Sequence, residues 1–600
     1  MRQSTRTAAR APLARPRARP ARCIALALLA ALLAGGPGLA AQLSQLPPDV
    51  RLPPDATGRI QQRLREAPTP PPEPPPPSLQ VEPPPVEEAP ASAADIPLTI
   101  ESVSLVGATV YKREELEQYW KDRLGKPGKL GDLFDIASAI TARYRNDGYV
   151  LSRAVVPAQE IENGKVELRV IEGYVAHVIF KGSDDRPDIL RATGEHITDV
   201  RPVRVSDLER YLLLLNDLPG ATVTSVLQPA TDQTGGADLV ITVEKDIYQN
   251  FTTVDDRGTR YVGPVQYTLG TRINSVFGWG DQTFIRGITT PLYPNELMAF
   301  DFINQQSLDE EGTTLALQLN FAEAHPGYSL SPFKLTSDAS TIAFVLAHPF
   351  IRSRTENLRF NVQAVANEYH TTSDSPAGDG SGGSGSTTLL RDSIRSLRVG
   401  LLYDSIDKYQ GANLAGLQFS QGLPILGASH PGATFLSRAS GRPDYNKLNF
   451  DVSRAQSLAE HWTLINAITA QKAFTSLLSS EQLGLGGSTF LRSYDPSDLV
   501  GDTGIAAKFE LQYSNQPNEW YLKNYDLYSY FDIGKVQNRV VGPGDKASDS
   551  GISIGLGSRF TLTEWSNGYL ELSQPIMRGV PTQGIHDHHP RIFFALIAKF

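Results

Sequence analysis

Arg492 and Asp532 are the residues whose types and settings come nearest to a built chemical device, and that device is a charge clamp rather than a reaction centre. An arginine offers a planar fork that holds a carboxylate with two hydrogen bonds, and a partly desolvated pair of this kind is costly to break from one side. Arg492 lies in the stretch Gly486-Gly487-Ser488-Thr489-Phe490-Leu491-Arg492-Ser493-Tyr494, which continues to Gly501-Asp502-Thr503-Gly504. Asp532 lies in Tyr530-Phe531-Asp532-Ile533-Gly534. By alternation along 525–536, Asp532 shares a face with Asp526, Tyr528 and Tyr530, opposite Leu527, Phe531 and Ile533. Spacing alone leaves open an ordinary outer-loop arginine with no fixed partner. Enzymatic readings fare worse, since the chain has neither a phosphate loop nor a His-Glu-x-x-His helix. His586-Asp587-His588-His589 is metal-capable, yet it falls in an expected outer loop and reads as solvated. No catalytic residue, metal or cofactor is expected.

The chain that must position this clamp has 600 residues and a formal charge of −9. Seven arginines and no acidic residue lie within positions 1–40, ahead of the apolar run 24–34 and a stretch ending at Ala40. This reads as a secretory signal peptide over 1–40. Its apolar core is too short for a spanning helix, which needs about twenty residues to cross roughly 30 Å of hydrocarbon. Cys23 precedes that run, so it is not placed for lipid attachment. Without 1–40 the charge becomes −16 and no cysteine remains. Disulfides and thiolate metal sites are thereby excluded, and an acidic chain argues against a nucleic-acid partner. Nowhere after residue 40 is there an apolar run near twenty residues. Membrane spanning would therefore require a closed barrel, in which every backbone polar group is paired within the sheet.

Positions 41–66 form an N-terminal segment in which 55–66 fits a short helix, although composition alone favours a frayed tail. A Pro-rich linker in polyproline II form follows over 67–95. Two similar α+β units occupy 96–173 and 174–246, each ordered strand, helix, helix, strand, strand. In the first, 98–106, 151–156 and 165–171 read as strands and 112–124 and 132–146 as helices, the latter with the stripe Leu133, Ile136, Ala137, Ile140 and Tyr144. The second repeats that stripe with Leu208, Tyr211, Leu212 and Leu215. Such a unit hides one sheet face under two helices and leaves a strand edge open.

From 247 to 600 the helical period vanishes and short segments alternate apolar and polar, separated by turn residues. Phe360, Val362, Ala364 and Ala366 oppose Arg359, Asn361, Gln363 and Asn367; Ile505, Ala507, Phe509 and Leu511 oppose Lys508, Glu510 and Gln512. One face suits lipid and the other water. Strand starts near 248, 264, 281, 296, 313, 337, 356, 390, 411, 445, 460, 503, 525, 549, 566 and 590 give an antiparallel transmembrane β-barrel of about sixteen strands. With the first strand running outward, the long segments 372–389, 424–444 and 475–502 fall on the outer side. The final strand ends on the aromatic Phe600, which looks like an outer-membrane assembly signal.

The two units, the 486–504 stretch and the 530–534 stretch together resemble the two-partner secretion transporters, the TpsB type of the POTRA-domain barrel superfamily. The resemblance implies an outer-membrane barrel with periplasmic POTRA domains that exports an unfolded partner exoprotein, with neither nucleotide nor cofactor. In that family the loop between strands eleven and twelve folds back into the barrel and carries an Arg-Gly-Tyr-like tip, here Arg492-Ser493-Tyr494. The implied inner-loop motif comprises Phe490, Leu491, Arg492, Ser493, Tyr494, Gly501, Asp502 and Gly504. Its wall partner on strand thirteen maps onto Asp532, with Gly534 beside it. Ser493 in place of glycine departs from the pattern at the tip. Cargo docking by strand addition maps onto 151–157 and 221–229, with Arg153, Val155, Val156, Pro157, Thr222 and Thr224 as candidates. Arg145–Pro157 is similar to the family's stretch there, with Gly148 as a left-handed helix cap. The segment 55–66 fits the family's plug helix, and the linker, at about 3.1 Å per residue, reaches roughly 90 Å against about 40–45 Å of bilayer. Barrel assembly within the same superfamily and passive diffusion through a porin are the rival functions; two modules rather than more favour secretion.

Overall fold

The computed structural model describes residues 80–81, 90, 95–182, 188–230, 233, 235–276, 280–293, 295–374, 386–517, 519–541, 546–582 and 588–600. The expected plug helix at 55–66 and most of the linker lie outside these residues, as do His586 and Asp587.

Sixteen strands close into one antiparallel barrel. They are β10 (Tyr248–Asp255), β11 (Gln266–Asn274), β12 (Asp281–Thr289), β13 (Leu297–Ser307), β14 (Thr314–Ala324), β15 (Leu335–Arg352), β16 (Glu356–Ser373), β17 (Thr387–Ile406), β18 (Gly411–Gly422), β19 (Asn446–Ala459), β20 (Trp462–Ala473), β23 (Thr503–Asn515), β24 (Asn524–Gln537), β25 (Ser548–Thr563), β26 (Ser566–Pro575) and β27 (Arg591–Lys599). Each begins within three residues of its expected position. The reason is the period of two, which shows in every strand because one face meets lipid and the other the lumen. Phe300, Phe321, Leu401, Phe450, Phe509, Phe531 and Leu556 stand exposed on the outer wall. Arg286 with Asp301, and Arg398 with Glu481, are buried ion pairs within the barrel. Closure of β27 on β10 removes every sheet edge from the lipid. The turns at the β10 terminus side carry exposed Trp520, Tyr521 and Trp565, the amphipathic rings that suit a membrane interface.

Two α+β modules precede the barrel. In the first, β3 (Ser102–Val106) pairs parallel with β6 (Lys165–Ile171), which pairs antiparallel with β5 (Arg153–Val155); β2 (Pro97–Thr99) pairs with β4 (Pro127–Lys129). Two expected elements are broken. The strand expected over 98–106 is interrupted where Gly164 O accepts the amides of Glu101 and Ser102 and Ile100 turns into the core. The helix expected over 112–124 is a single turn, α1 (Arg113–Leu116), followed by 3-10 turns at Glu117–Tyr119 and Lys121–Arg123. Here burial of Trp120, 1% exposed and non-helical at φ −131°, outweighs local helix preference. The helix α2 (Leu130–Asn146) buries the expected stripe Leu133, Ile136, Ala137, Ile140 and Tyr144. It ends at Gly148, whose φ of +93° is the left-handed conformation that glycine adopts without Cβ strain.

The second module lays α3 (Asp188–Asp199) and α4 (Val205–Asn216) with a sheet of order β1-β8-β9-β7, in which β1 is Gln80–Val81, β7 Tyr174–Lys181, β8 Ala221–Pro229 and β9 Gly236–Lys245. The modules are coupled rather than strung together. Leu151 packs into the core of the second module, and Val205 N donates to Gly148 O at 3.0 Å. Glu172, at the junction, accepts from Thr109 N at 2.7 Å, Val110 N at 2.9 Å and the Tyr144 hydroxyl at 2.8 Å. Burial pushes its carboxyl up, but these donors outweigh burial and hold it below the usual carboxylate range.

The second module also docks on the barrel rim. Arg210 pairs with Glu311 at 2.8 Å, Arg352 with Asp217 at 2.7 Å, and Arg354 with Glu209 at 2.7 Å. Glu311 and Arg354 lie in the turns after β13 and β15, on the barrel end where β10 starts. Both modules therefore sit at the periplasmic end, and the long loops open at the other.

Candidate functional site

The loop between β20 and β23, residues 474–502, enters the barrel instead of standing outside it. It is held in shape by a small hairpin of β21 (Leu483–Leu485) and β22 (Leu499–Gly501). Leu483, Leu485, Leu491, Tyr494 and Leu499 form a buried cluster with Ala506 and Val536 from the wall and Val580 from the β26–β27 loop. Gly534 makes room for this cluster, because a Cβ there would lie 2.8 Å from Leu485 Cδ1 and 3.2 Å from Leu491 Cδ1. At Gly486, φ is +115° and a Cβ would meet Asp495 O at 2.0 Å, so the turn into the tip requires glycine.

At the tip, the left-handed residue is Leu491, with φ +55°, while Ser493 is not left-handed. The tip turn thus does not call for glycine at 493. Ser493 instead adds contacts: its hydroxyl lies 2.6 Å from Ser553 Oγ, and its amide donates to the same oxygen at 3.2 Å.

Arg492 is 2% exposed and Asp532 0%. The guanidinium donates from Nε to Asp532 Oδ2 and from Nη2 to Oδ1, both at 3.0 Å, and the Arg492 amide donates to Oδ2 at 3.1 Å. The pair implied by the resemblance, with Asp532 on the lumen face as parity places it, is one part of a larger arrangement. Arg492 Nη1 also donates to Glu510 Oε2 at 2.6 Å and lies 3.8 Å from Glu571 Oε2, while its guanidinium stacks 3.5 Å from the Tyr530 ring centroid. Arg559 donates to Glu510 Oε1 at 2.6 Å, and Arg257 donates to Glu571 Oε1 at 2.7 Å. Three guanidiniums thus face three carboxylates, and the Tyr528 hydroxyl donates to Glu571 at 2.9 Å. Each buried charge has an opposite partner, as charges drawn out of water require. The arrangement fixes a loop inside a barrel.

The other end of the loop is fixed by Asp502, which is 0% exposed. Its Oδ1 accepts from Arg438 Nη1 at 2.6 Å and from Leu477 N at 3.1 Å, and its Oδ2 accepts from Arg539 N at 2.9 Å. Arg438 belongs to the segment 423–445, so Asp502 ties together three outer segments over the lumen. Tyr494 reaches the wall and the β26–β27 loop through Ile552 O and Arg578 O, at 3.3 and 3.4 Å. Phe490 packs partly buried against the loop's cluster. Gly504 is the second residue of β23, where a Cβ would meet Lys535 O at 2.8 Å.

The docking candidates stand on two separate sheets. Arg153 and Val155 lie on β5, at the edge of its sheet, with Val156 and Pro157 following. That edge is not wholly bare, since Ala154 N donates to Thr141 Oγ1 on α2 at 2.9 Å. Thr222 and Thr224 are exposed on β8, whose farther end pairs parallel with the linker, Gln80 with Val226 and Val81 with Leu227.

Sequence reasoning missed Arg257, Glu571 and Arg559 as members of the clamp. Parity put Glu510 on the inner face, but no spacing rule joins it to Arg492. It also passed over Gly551-Ile552-Ser553-Ile554-Gly555, a Gly-x-Ser-x-Gly spacing. That stretch lies inside β25 rather than at a strand-to-helix turn, and Ser553 serves the loop tip.

Comparisons with known proteins bear on the fold and the family. Residues 98–173 match the model of the POTRA domain, ShlB-type, and residues 389–558 match that of the haemolysin secretion/activation protein ShlB/FhaC/HecB. The heme/hemopexin transporter protein HuxB of Haemophilus influenzae is 24% identical over 73% of this chain and 78% of its own. The outer membrane transporter CdiB of Dickeya dadantii is 22% identical over 76% of this chain and 78% of its own. The solved structure of CdiB from Escherichia coli superposes with a TM-score of 0.69 at 18% identity, covering 86% of this chain and 92% of the other, which speaks to the fold. In its ShlB-type POTRA module, its sixteen-stranded barrel and the ShlB/FhaC/HecB match across the strands that carry the inner loop, the chain is similar to the outer-membrane transporters of two-partner secretion, the TpsB type.

Proposed function

We propose that this transporter takes an unfolded partner exoprotein onto its two POTRA modules and passes it through the barrel to the cell surface. The observation that carries this reading is the loop 474–502, clamped inside the lumen by Arg492 above modules docked on the periplasmic rim. A pore for small solutes has no need of modules ion-paired to its rim, and the buried charges at the tip make the loop a fixed wall of the conduit. Docking uses main-chain pairing at the edge of β5, with Arg153, Val155, Val156 and Pro157, and along β8 beside Thr222 and Thr224. Such pairing gives affinity with little demand on sequence, which suits an unfolded chain. The lumen offers the cargo a polar cavity of about 390 Å³ lined by Asn361, Arg398, Lys447, Asn449 and Gln471. The reading includes no enzymatic step and no nucleotide, nucleic acid or cofactor. Cargo folding outside supplies direction, because a folded chain cannot return through the lumen. Lipid holds the outer wall.

The test is export of a candidate exoprotein, to be sought first as a large secreted protein in the neighbouring reading frame. Cells with both proteins are expected to display or release it, and cells without the transporter to retain it in the periplasm with their other outer-membrane barrels intact. Export in the absence of the transporter would refute the reading. A general loss of outer-membrane barrels would assign the protein to barrel assembly instead.

A further inference from the structure

The seam where the barrel closes is built differently from its neighbours. β10 pairs with β27 at five positions, from Phe251 with Lys599 to Asp255 with Ala595. On its other side β27 pairs with β26 at eight positions, up to Ser573 with Arg591. The outer end of β27 therefore extends beyond its ladder with β10. Asp256 covers the first step: its amide donates to Phe594 O at 3.2 Å, and Phe594 N donates to its Oδ1 at 2.7 Å. The chain then leaves the strand, and Arg257 turns inward.

Arg257 is buried and crosses the gap. Its guanidinium lies 3.9 Å from the Phe593 ring centroid on β27, and Nη2 donates to Glu571 on β26 at 2.7 Å. Nη1 donates to the loop-tip carbonyls Arg492 O at 2.9 Å and Gly487 O at 3.3 Å. From the opposite side of the seam, Arg591 donates to Ser493 O at 2.9 Å and pairs with Asp495 at 2.7 Å. Where ladder hydrogen bonds give out, the two lips of the seam are thus joined through the loop tip. A planar fork of five donors can serve a carboxylate and two carbonyls at once, which an ammonium cannot do from one place.

We propose that Arg257 is a positioning residue that fastens the tip of the inner loop to the barrel seam, so that release of the tip and loosening of the outer half of the seam are one event. Arg257 touches no cargo and acts through Arg492. The inference rests on the loop being a wall of the conduit, but its test contains no cargo. Its failure is therefore distinct from failure of export.

The experiment uses the full-length protein in planar bilayers in KCl, as Arg257→Gln and Arg257→Lys, each with and without Val254→Cys/Leu596→Cys. Val254 and Leu596 are register partners near the outer end of the seam ladder, and Cys23 is the chain's single native cysteine, so the engineered disulfide has no competitor after signal removal. Arg257→Gln is expected to raise the probability of large openings about tenfold by removing the ion-pair partner nearest to Glu571 and the guanidinium held by the loop-tip carbonyls, with Arg257→Lys in between. Oxidation of the seam cysteines is expected to suppress those openings, and reduction to restore them. If Arg257→Gln does not assemble alone, the oxidised double-cysteine form carries it, and openings that appear on reduction are the readout. A lowered heat-modification temperature with unchanged conductance would make Arg257 merely structural and overturn the proposal. So would large openings that the disulfide leaves unaltered, since tip and seam would then move independently.

Discussion

Arg492→Ala is expected to reduce export of the exoprotein by at least about tenfold while the barrel still inserts and shows heat-modifiable migration, because a buried pair broken from one side leaves a penalty of about 3–5 kcal/mol. The structure makes the two sides of the clamp unequal. Removing Arg492 leaves Asp532, Glu510 and Glu571 converging, with Arg559 and Arg257 still beside the last two. Removing Asp532 leaves Arg492 with Glu510 at 2.6 Å. Asp532→Ala should therefore be the milder variant, and Arg492→Lys should stay defective because an ammonium cannot take both carboxylates in the same geometry. In the double variant, repulsion around Asp532 is relieved, so export should fall no further than in Arg492→Ala alone. Multiplicative losses, or normal export by Arg492→Ala, would remove the clamp from the mechanism.

Asp502→Ala is expected to act on closure rather than on the tip. Asp502 accepts from Arg438, Leu477 N and Arg539 N, so its loss removes the carboxylate from the junction of three outer segments and leaves Arg438 to hold them through Leu477 O, Asn538 Oδ1 and Val540 O. The expected results are a large rise in ion conductance in planar bilayers and increased entry of bulky antibiotics into cells. The magnitude should exceed that of Asp502→Asn, which keeps one acceptor oxygen at Arg438 or at Arg539 N. Wild-type conductance of Asp502→Ala would show that the outer segments stay closed without this junction.

The residues differ in how much of this was legible beforehand. Strands such as β23 and β24 are plain in the sequence because lipid and lumen impose a period of two, and one-residue errors would turn Phe509 or Asp532 to the wrong face. The same parity places Asp532 in the lumen. That the 474–502 segment folds inward followed from resemblance rather than spacing, since Gly, Ser and Leu suit an outer loop equally. Arg257 could not be found, because it meets Arg492 across 235 positions through barrel closure. The helix expected over 112–124 failed for a related reason: burial of Trp120 is a tertiary demand that local periodicity does not register. Ser493 shows the opposite case. Its departure from the family pattern raised a question of turn geometry that the left-handed Leu491 answers.

The central claim is that cargo crosses inside the barrel, past the clamped loop. Asn449 and Phe450 are neighbours on β19 with opposite outlooks: Asn449 lines the lumen cavity and donates to Gln471 Oε1 at 2.9 Å, and Phe450 is exposed on the outer wall. A photo-crosslinking amino acid placed at each in turn, during export of the exoprotein, distinguishes the routes. Crosslinks to the exoprotein from position 449 and none from 450 are the predicted result; crosslinks from 450 with none from 449 would contradict passage through the lumen.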